Sequence, residues 1–332
     1  MIYVLGGSGF IGTRLCARLD AVGTAFTVVD KRRSVTFGDR TSIADVRSLD
    51  ALRAAIPDSH TSPEATLVNL AAEHRDDVRP PSLYYDVNVG GAENACALAR
   101  ERGIERIVFT SSVAVYGFAP PGTDEAGAVQ PFNEYGRTKA LAEQVYRSWH
   151  AEDLNRRTLV IVRPTVVFGE GNRGNVYNLL RQIARGAFVM IGRGDNIKSL
   201  AYVENVAAFL EYTTGFSAGL HVFNYIDTPD LAVNELVRAV RAAFGRTRRP
   251  VRVPYGLGLA GGYICDVAAR LTGRSFPVSA VRVRKFAATT RFSSRATATG
   301  FSAPVSLAEA LDRTIRFEFI DPPANAELFY TE

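Results

Sequence analysis

Short apolar runs and longer segments with helical spacing alternate along the first half of the chain. Residues 1–5, 26–30, 67–70, 107–111 and 158–163 form the apolar runs. Between them, residues 12–22, 49–55, 90–102 and 135–150 carry the spacing of one-sided helices. Strand–helix–strand alternation predicts a parallel sheet with helices on both faces. The run Val160-Ile161-Val162 has no polar alternation, as expected of a strand buried on both sides.

The pattern changes after residue 168. Glycine-rich turns appear at 169–172 and 192–195, with helical segments at 176–185, 203–213 and 232–244. The expected organisation is a doubly wound α/β domain over residues 1–168 and a smaller C-terminal α/β cap over 169–332, with some later segments returning to the first domain. Residues 255–265 carry no charge. They are too few for the ~18 residues of a spanning helix. A buried cap helix is the default expectation. The alternative is an interfacial segment that meets lipid, with Arg270 and Arg274 near headgroups.

The 332 residues are 47% hydrophobic and 22% charged, the balance of a globular protein. Formal net charge is +5 without a long Lys/Arg block, which argues against a nucleic-acid arm and suits a phosphate-bearing ligand. Cys16, Cys96 and Cys265 lie far apart, so neither a zinc site nor a disulfide framework is indicated. The first residues run directly into an apolar strand without a basic leader, so a cytoplasmic protein is expected.

Gly6-Gly7-Ser8-Gly9-Phe10-Ile11-Gly12 follows the first predicted strand and opens a helix. Glycines at that junction let the backbone turn tightly and approach a pyrophosphate, and the helix end offers it free N–H groups. Strand, glycine turn and helix together predict a Rossmann-type dinucleotide site containing Gly6, Ser8, Gly9, Phe10, Ile11 and Gly12. Asp30 closes the second strand, where a carboxylate can accept ribose hydroxyls and would repel a 2′-phosphate, favouring NAD. Lys31, Arg32 and Arg33 follow at once and leave the phosphorylated cofactor as the alternative.

Tyr135 and Lys139 stand four residues apart at the start of a predicted helix and share a face. A free phenol is a poor base at neutral pH, and a neighbouring ammonium favours its ionised form. Only four of the 39 basic residues are lysines, so this Lys after this Tyr is specific. Ser111 and Ser112 end another predicted strand, where ligands of such sheets bind.

Gly6–Gly12, Asn69–Ala72, Ser111–Gly117 and Tyr135–Lys139 match in order and separation the extended short-chain dehydrogenases of the NAD-dependent epimerase/dehydratase family, which the chain resembles over essentially its whole length. The resemblance implies that Ser112, Tyr135 and Lys139 are catalytic. It implies that Asp45 and Val46 lie against the adenine. Leu70, Ala71, Ala72, Asn88, Ser111, Pro164 and Val167 would line the cofactor path. A dimer through the helices at 90–102 and 135–150 is expected from the same resemblance.

Within that family, the dehydratases carry an acid pair after the strand-end hydroxyl; here Val113 and Ala114 stand there and exchange no proton. Decarboxylases commonly hold a carboxylate where this chain has Ser112. Epimerase or ketosugar reductase remains, with a non-catalytic NAD-sensing regulator as the reading from another class. The stretches 71–78, 82–88, 171–178 and 229–231 resemble bacterial 4-epimerases of N-acetylglucosamine carried on undecaprenyl diphosphate. Such enzymes supply the N-acetylgalactosaminyl lipid that starts some O-antigen repeats. That implies a diphosphate-linked amino sugar as substrate and peripheral contact with the inner membrane. Val166 stands where many UDP-sugar epimerases hold their substrate with an asparagine, so a UDP-sugar is the second choice. Candidate substrate contacts are His74, Ser112 and Val113 beside the sugar. Arg173, Asn175, Arg193, Lys198 and Arg282, with Arg284 and Lys285, are candidates for the diphosphate. No metal site is expected.

Overall fold

Neighbouring residues of the first strand belong to two different cores. Tyr3 and Leu5 pack into one apolar cluster, and Ile2 and Val4 into another on the opposite face. A strand buried on both faces forms the middle of a layered α/β fold, which is what the computed structural model shows. It describes residues 1–58, 62–75, 78–246, 250–272 and 279–330, without the side chain of Lys285.

In chain order, the first part contains β1 (Ile2–Leu5), α1 (Phe10–Ala21), β2 (Phe26–Asp30), β3 (Thr41–Ile43), α2 (Leu49–Ala55) and β4 (Thr66–Asn69). Next come α3 (Ser82–Tyr84), α4 (Gly91–Glu101), β5 (Arg106–Thr110), α5 (Glu134–Ala151) and β6 (Thr158–Pro164). The second part contains β7 (Val166–Phe168), α6 (Asn175–Ala184), β8 (Val189–Ile191), β9 (Ile197–Lys198), β10 (Leu200–Tyr202), α7 (Val203–Thr213) and β11 (Gly219–Tyr225). It ends with β12 (Leu231–Ala232), α8 (Val233–Ala243), β13 (Val251–Val253), α9 (Tyr255–Thr272), α10 (Ala280–Ala287) and α11 (Leu307–Ile315).

Seven strands form one parallel sheet in the order β11-β6-β5-β4-β1-β2-β3. The strand order reverses beside β1, between β2 and β4. In open α/β sheets that reversal leaves a crevice at the carboxyl ends of the strands. Helices α4 and α5 cover one face, where Ala92, Ala95, Ala142, Tyr146 and Trp149 meet the sheet. Helices α1 and α7 cover the other, through Leu15, Leu19, Ala207, Phe209 and Leu210. A third cluster joins α6, α8 and α11 through Leu180, Ile183, Leu236, Val240, Leu307 and Leu311.

The structure adds to the expected elements. The short edge strand β3 and the outer strand β11 were not anticipated, because β3 has three residues and β11 mixes polar with apolar ones. The helix expected from residue 90 is preceded by α3 and a π-helical stretch at Tyr85–Gly90. The uncharged segment expected to be buried is the start of α9, in which only Gly262 is buried. Charge-free sequence predicted burial, but Gly258 and Gly262 form the side that packs down, and the larger apolar side chains project outward. Among the described residues no helix is long and apolar enough to cross a membrane.

Candidate active site

Gly6 adopts φ 77°, a left-handed conformation that favours glycine. A Cβ there would stand 2.6 Å from the backbone nitrogen of Ala71, so Leu70 and Ala71 close on the turn from β4. At Gly12 a Cβ would lie 2.5 Å from the Cα of Gly7, which is why α1 can begin directly against the turn. Gly9 is the N-cap of α1 and supplies no side chain to it. The first helical N–H groups, at Phe10 and Ile11, thus face the end of β1 without a capping side chain, a cradle suited to an anion.

Asp30 closes that cradle from β2. Its carboxylate accepts the backbone N–H of Ser8 at 3.1 Å and that of Arg32 at 3.0 Å. Ser8 in turn donates its hydroxyl to the carbonyl of Arg32 at 2.9 Å. The glycine turn and the loop after β2 are thereby one unit. Lys31 is exposed on that loop, and Arg33 pairs with Asp39 at 3.2 Å. Asp45 is held by Arg47, whose guanidinium hydrogen bonds keep its carboxyl below the usual range. Val46 is buried against Gly91 and accepts the side-chain N–H of Asn94 on its carbonyl. Carboxylate, glycine turn and open helix end fit a dinucleotide with free ribose hydroxyls.

Tyr135 and Lys139 lie on the first turns of α5, which Asn133 caps by accepting the N–H of Gly136 at 2.9 Å. Lys139 is buried. Its ammonium donates to the carbonyl of Thr110 at 2.7 Å and lies 4.7 Å from the Phe109 ring. Burial lowers its pKa to about 7, and the nearby Glu143 opposes that shift. Burial raises the Tyr135 phenol to about 12, against a hydrogen bond with Ser112 that favours ionisation. Ser112 also caps the short turn Val113–Tyr116 by accepting the N–H of Ala114 at 3.1 Å. The structure therefore joins Ser112 and Tyr135 and places Lys139 one helical turn behind. Val113, half-buried, follows on the same turn.

Several expected contacts have other partners. Ser111 donates its hydroxyl to Glu143 at 2.6 Å, so that hydroxyl faces the protein and not the cofactor path. Asn88 binds both backbone groups of Glu73, at 2.8 and 3.0 Å, and Thr138 at 2.9 Å, which fixes the loop after β4 to α5. Arg173 is ion-paired with the buried Glu318 and stacked on Tyr177 at 4.1 Å, so its charge is engaged within the protein. In each case the partner lies 15 to 145 residues away in the chain, and sequence spacing does not reveal it.

Pro164 ends β6 and is buried; Val167 lies on β7. His74 stands on the loop after Ala72, hydrogen-bonded to the backbone there. Desolvation lowers its pKa, and Lys139 adds to the effect. Asp76 and Asp77 of the same stretch lie outside the described residues, as does Arg274.

A cavity of about 380 Å³ opens in the second part of the chain. Arg193, Asp195, Asn196, Tyr255, Arg284 and Ala288 are among its walls. Lys198 donates to the carbonyl of Ala288 at 2.6 Å, and burial lowers its pKa to about 8. Asn175 and Arg282 are exposed and are not among the lining residues. The strip from Ala288 to Ser293 leads from this cavity back to the Ser112 turn. Thr290 pairs with Lys198, Phe292 pairs with Thr123, and the Phe292 ring stacks on Tyr116 at 5.8 Å.

Beneath the Ser112 turn lies a buried polar network that sequence reasoning missed. Arg163 pairs with Glu143 at 2.5 Å and donates to the Tyr116 hydroxyl at 2.6 Å. Tyr116 donates to Asn224 on β11 at 2.8 Å. Glu143 stands four residues after Lys139, so the spacing that revealed Tyr135 and Lys139 also placed it on their face. Among the described residues no group of His, Cys, Asp and Glu could hold a metal.

Residues 2–219 match the family described as the NAD dependent epimerase/dehydratase family. The chain belongs to that family. Its cofactor is NAD, and its activity is that of an epimerase. The chain is 45% identical over 335 residues to N-acetyl-alpha-D-glucosaminyl-diphospho-ditrans,octacis-undecaprenol 4-epimerase of Escherichia coli O157:H7, covering 100% of this chain and 99% of that one. The UDP-glucose 4-epimerase of Vibrio cholerae is 28% identical over 287 residues, covering 82% and 85% of the two chains. Among solved structures, MoeE5 in complex with UDP-glucuronic acid and NAD superposes with a TM-score of 0.72 at 26% identity, over 95% of this chain and 98% of that one. The parallel sheet and its switch point are thus those of the family's Rossmann-type fold.

Proposed function

We propose that this epimerase interconverts N-acetylglucosamine and N-acetylgalactosamine at C4 while the sugar is carried on undecaprenyl diphosphate. The observation that carries the reading is the 45% identity to the undecaprenol-linked 4-epimerase, sustained over the whole chain.

Tyr135, as phenolate, takes the proton of the sugar 4-hydroxyl. Ser112 hydrogen-bonds the same oxygen and positions it. Charged Lys139, held in place by Thr110, and the positive nicotinamide ring of bound NAD would together offset the burial that raises the phenol to about 12 in the cofactor-free site. NAD supplies the chemistry of accepting the C4 hydride and returning it. Turnover of the 4-keto sugar within the site exposes its other face, and Tyr135 returns the proton to the oxygen. No external reductant is consumed, which separates this activity from a ketosugar reductase.

The division of labour we propose assigns residues 1–168, with α7 and β11, to the cofactor, and the remainder to the substrate cap. Arg193 and Arg284 in the cavity wall supply cationic donors for the diphosphate, with Lys198 beside them. A homodimer through α4 and α5, working at the cytoplasmic face of the membrane that holds the lipid, completes the reading. Its product would supply O-antigen or a related surface polysaccharide.

The test supplies the purified enzyme and NAD with either N-acetylglucosaminyl-diphospho-undecaprenol or UDP-N-acetylglucosamine and resolves the 4-epimers. Conversion of the lipid-linked sugar is expected. Conversion of the UDP-sugar alone would overturn the carrier, and accumulation of NADH with the 4-keto sugar, without epimer exchange, would replace the epimerase with a reductase running in reverse.

A further inference from the structure

Helix α9 is built with its amphipathicity inverted. Its buried side is glycine: a Cβ on Gly258 would stand 2.7 Å from Ile191, and one on Gly262 would stand 2.7 Å from Ala280. Its large apolar residues face solvent, with Leu257 67%, Ile264 69% and Leu271 82% exposed, and Val267 and Tyr263 beside them. Leu257, Ala260, Ile264, Val267 and Leu271 follow three- and four-residue spacing and form one stripe over about 22 Å of this 18-residue helix. On α10, Val281 is exposed next to this face.

Charge identifies what covers the stripe. Residues 250–291 contain seven Lys and Arg and the single acid Asp266, a net +6 in a chain whose total is +5. Asp266 is turned inward and accepts the N–H of Ala280 at 3.1 Å. An apolar stripe flanked by Arg270, Arg282 and Arg284 complements a surface with anionic headgroups over hydrocarbon. A second copy would bring the same positive charge against itself. The cavity with Arg193, Arg284 and Tyr255 opens at the first residue of the same helix.

We propose that the α9–α10 face docks on an anionic lipid bilayer, with the helix lying in the headgroup boundary, so that the cavity mouth meets a diphosphate at the membrane surface. The inference rests on the lipid-linked reading above and names the surface that serves it. No helix here is long and apolar enough to cross a bilayer among the described residues, so the helix lies on it.

The experiment sediments the full chain with vesicles of phosphatidylcholine, alone or mixed with phosphatidylglycerol. Binding to the mixed vesicles, weakened by salt, is expected. The double variant Ile264→Asp with Leu271→Asp should lose about tenfold or more of that binding. It should convert a water-soluble short-prenyl diphospho-N-acetylglucosamine at the parent rate. Arg270→Glu, which leaves the apolar stripe intact, should weaken binding to the mixed vesicles and serves if the double variant does not fold. Equal binding by parent and variants, or no binding by the parent, overturns the proposal. So does a parent oligomer that the double variant dissociates, which would make the face a self-interface. Vesicle binding by a parent that converts only the UDP-sugar would keep the surface and reject the lipid-linked substrate.

Discussion

Gly136 lies so close to Ala114 that a Cβ on it would stand 2.4 Å from the Ala114 carbonyl oxygen. This approach brings the start of α5 against the Ser112 turn, and it is what allows Tyr135 to meet Ser112. Gly136→Ala must push the two apart or shift α5. Misplacement on the ångström scale costs a rate of about 10²-fold. The expected result is a kcat reduced by that order with NAD affinity preserved, measured by epimer exchange and by titration of the cofactor. Unchanged kcat would show that the close approach has no part in positioning Tyr135.

Tyr135→Phe removes the hydroxyl proposed to exchange the proton while leaving the ring in α5. The turnover number should fall by about 10³-fold, within the range of acid–base contributions. NAD binding should change little, because Asp30 and the glycine turn are elsewhere. A variant that retains substantial turnover would assign the proton transfer to another group. A cell phenotype unaffected by this variant would favour a non-catalytic role.

The glycine turn and the Tyr135–Lys139 pair were legible because their chemistry is local, set by spacings of three and four residues. The parallel sheet was legible for a similar reason, since its central strands are short apolar runs. What escaped the sequence is long-range pairing. Glu143 meets Arg163 across 20 residues and Arg173 meets Glu318 across 145, and neither partner is marked by its neighbours in the chain. Strand β11 escaped because His221 and Asn224 interrupt its apolar pattern. Helix α9 was misread because apolar composition says how much a segment prefers to leave water, but not what it packs against.

We propose that Asp30, which closes the glycine turn, selects the cofactor. Asp30→Ala removes the carboxylate that would accept ribose hydroxyls and repel a 2′-phosphate, and leaves Lys31 and Arg32 in place. Affinity for NAD should fall by about tenfold and that for NADP should rise, so the ratio of the two dissociation constants is the quantity to measure. An unaltered ratio would remove Asp30 from the recognition of the ribose. Because Asp30 also accepts the N–H groups of Ser8 and Arg32, a loss common to both cofactors would report on the turn, and the ratio separates the two effects.

Glu143 and Arg163 form a buried ion pair with side-chain exposures of 4% and 3%. Glu143→Gln leaves the Arg163 guanidinium buried opposite a neutral group, and breaking such a pair costs about 3–5 kcal/mol. Urea denaturation should show a loss of that size. The double variant Glu143→Leu with Arg163→Met should lose less than the sum of its single changes, because no charge is then left unpaired. Strict additivity would show that the two side chains are not coupled.

Lys139 makes the stability of the cofactor-free enzyme depend on pH. Its pKa is about 7 in the fold, against the ordinary 10.5. Between those values the unfolded chain holds the proton and the folded chain releases it, so unfolding takes up protons and stability rises with pH. Below about pH 7 both states are protonated, and the cost of burying the ammonium is constant and largest. Lys139→Met removes this component, with ~1.4 kcal/mol at stake for each pH unit of the window. The unpaired Thr110 carbonyl left behind costs the same at every pH. The stability of the variant relative to the parent should therefore be greatest near pH 7 and decline steadily toward pH 10. Urea titrations of both proteins across that window measure the difference. A difference that stays constant with pH would mean that Lys139 keeps its proton throughout, so its ammonium would be compensated by Glu143 more fully than burial opposes it.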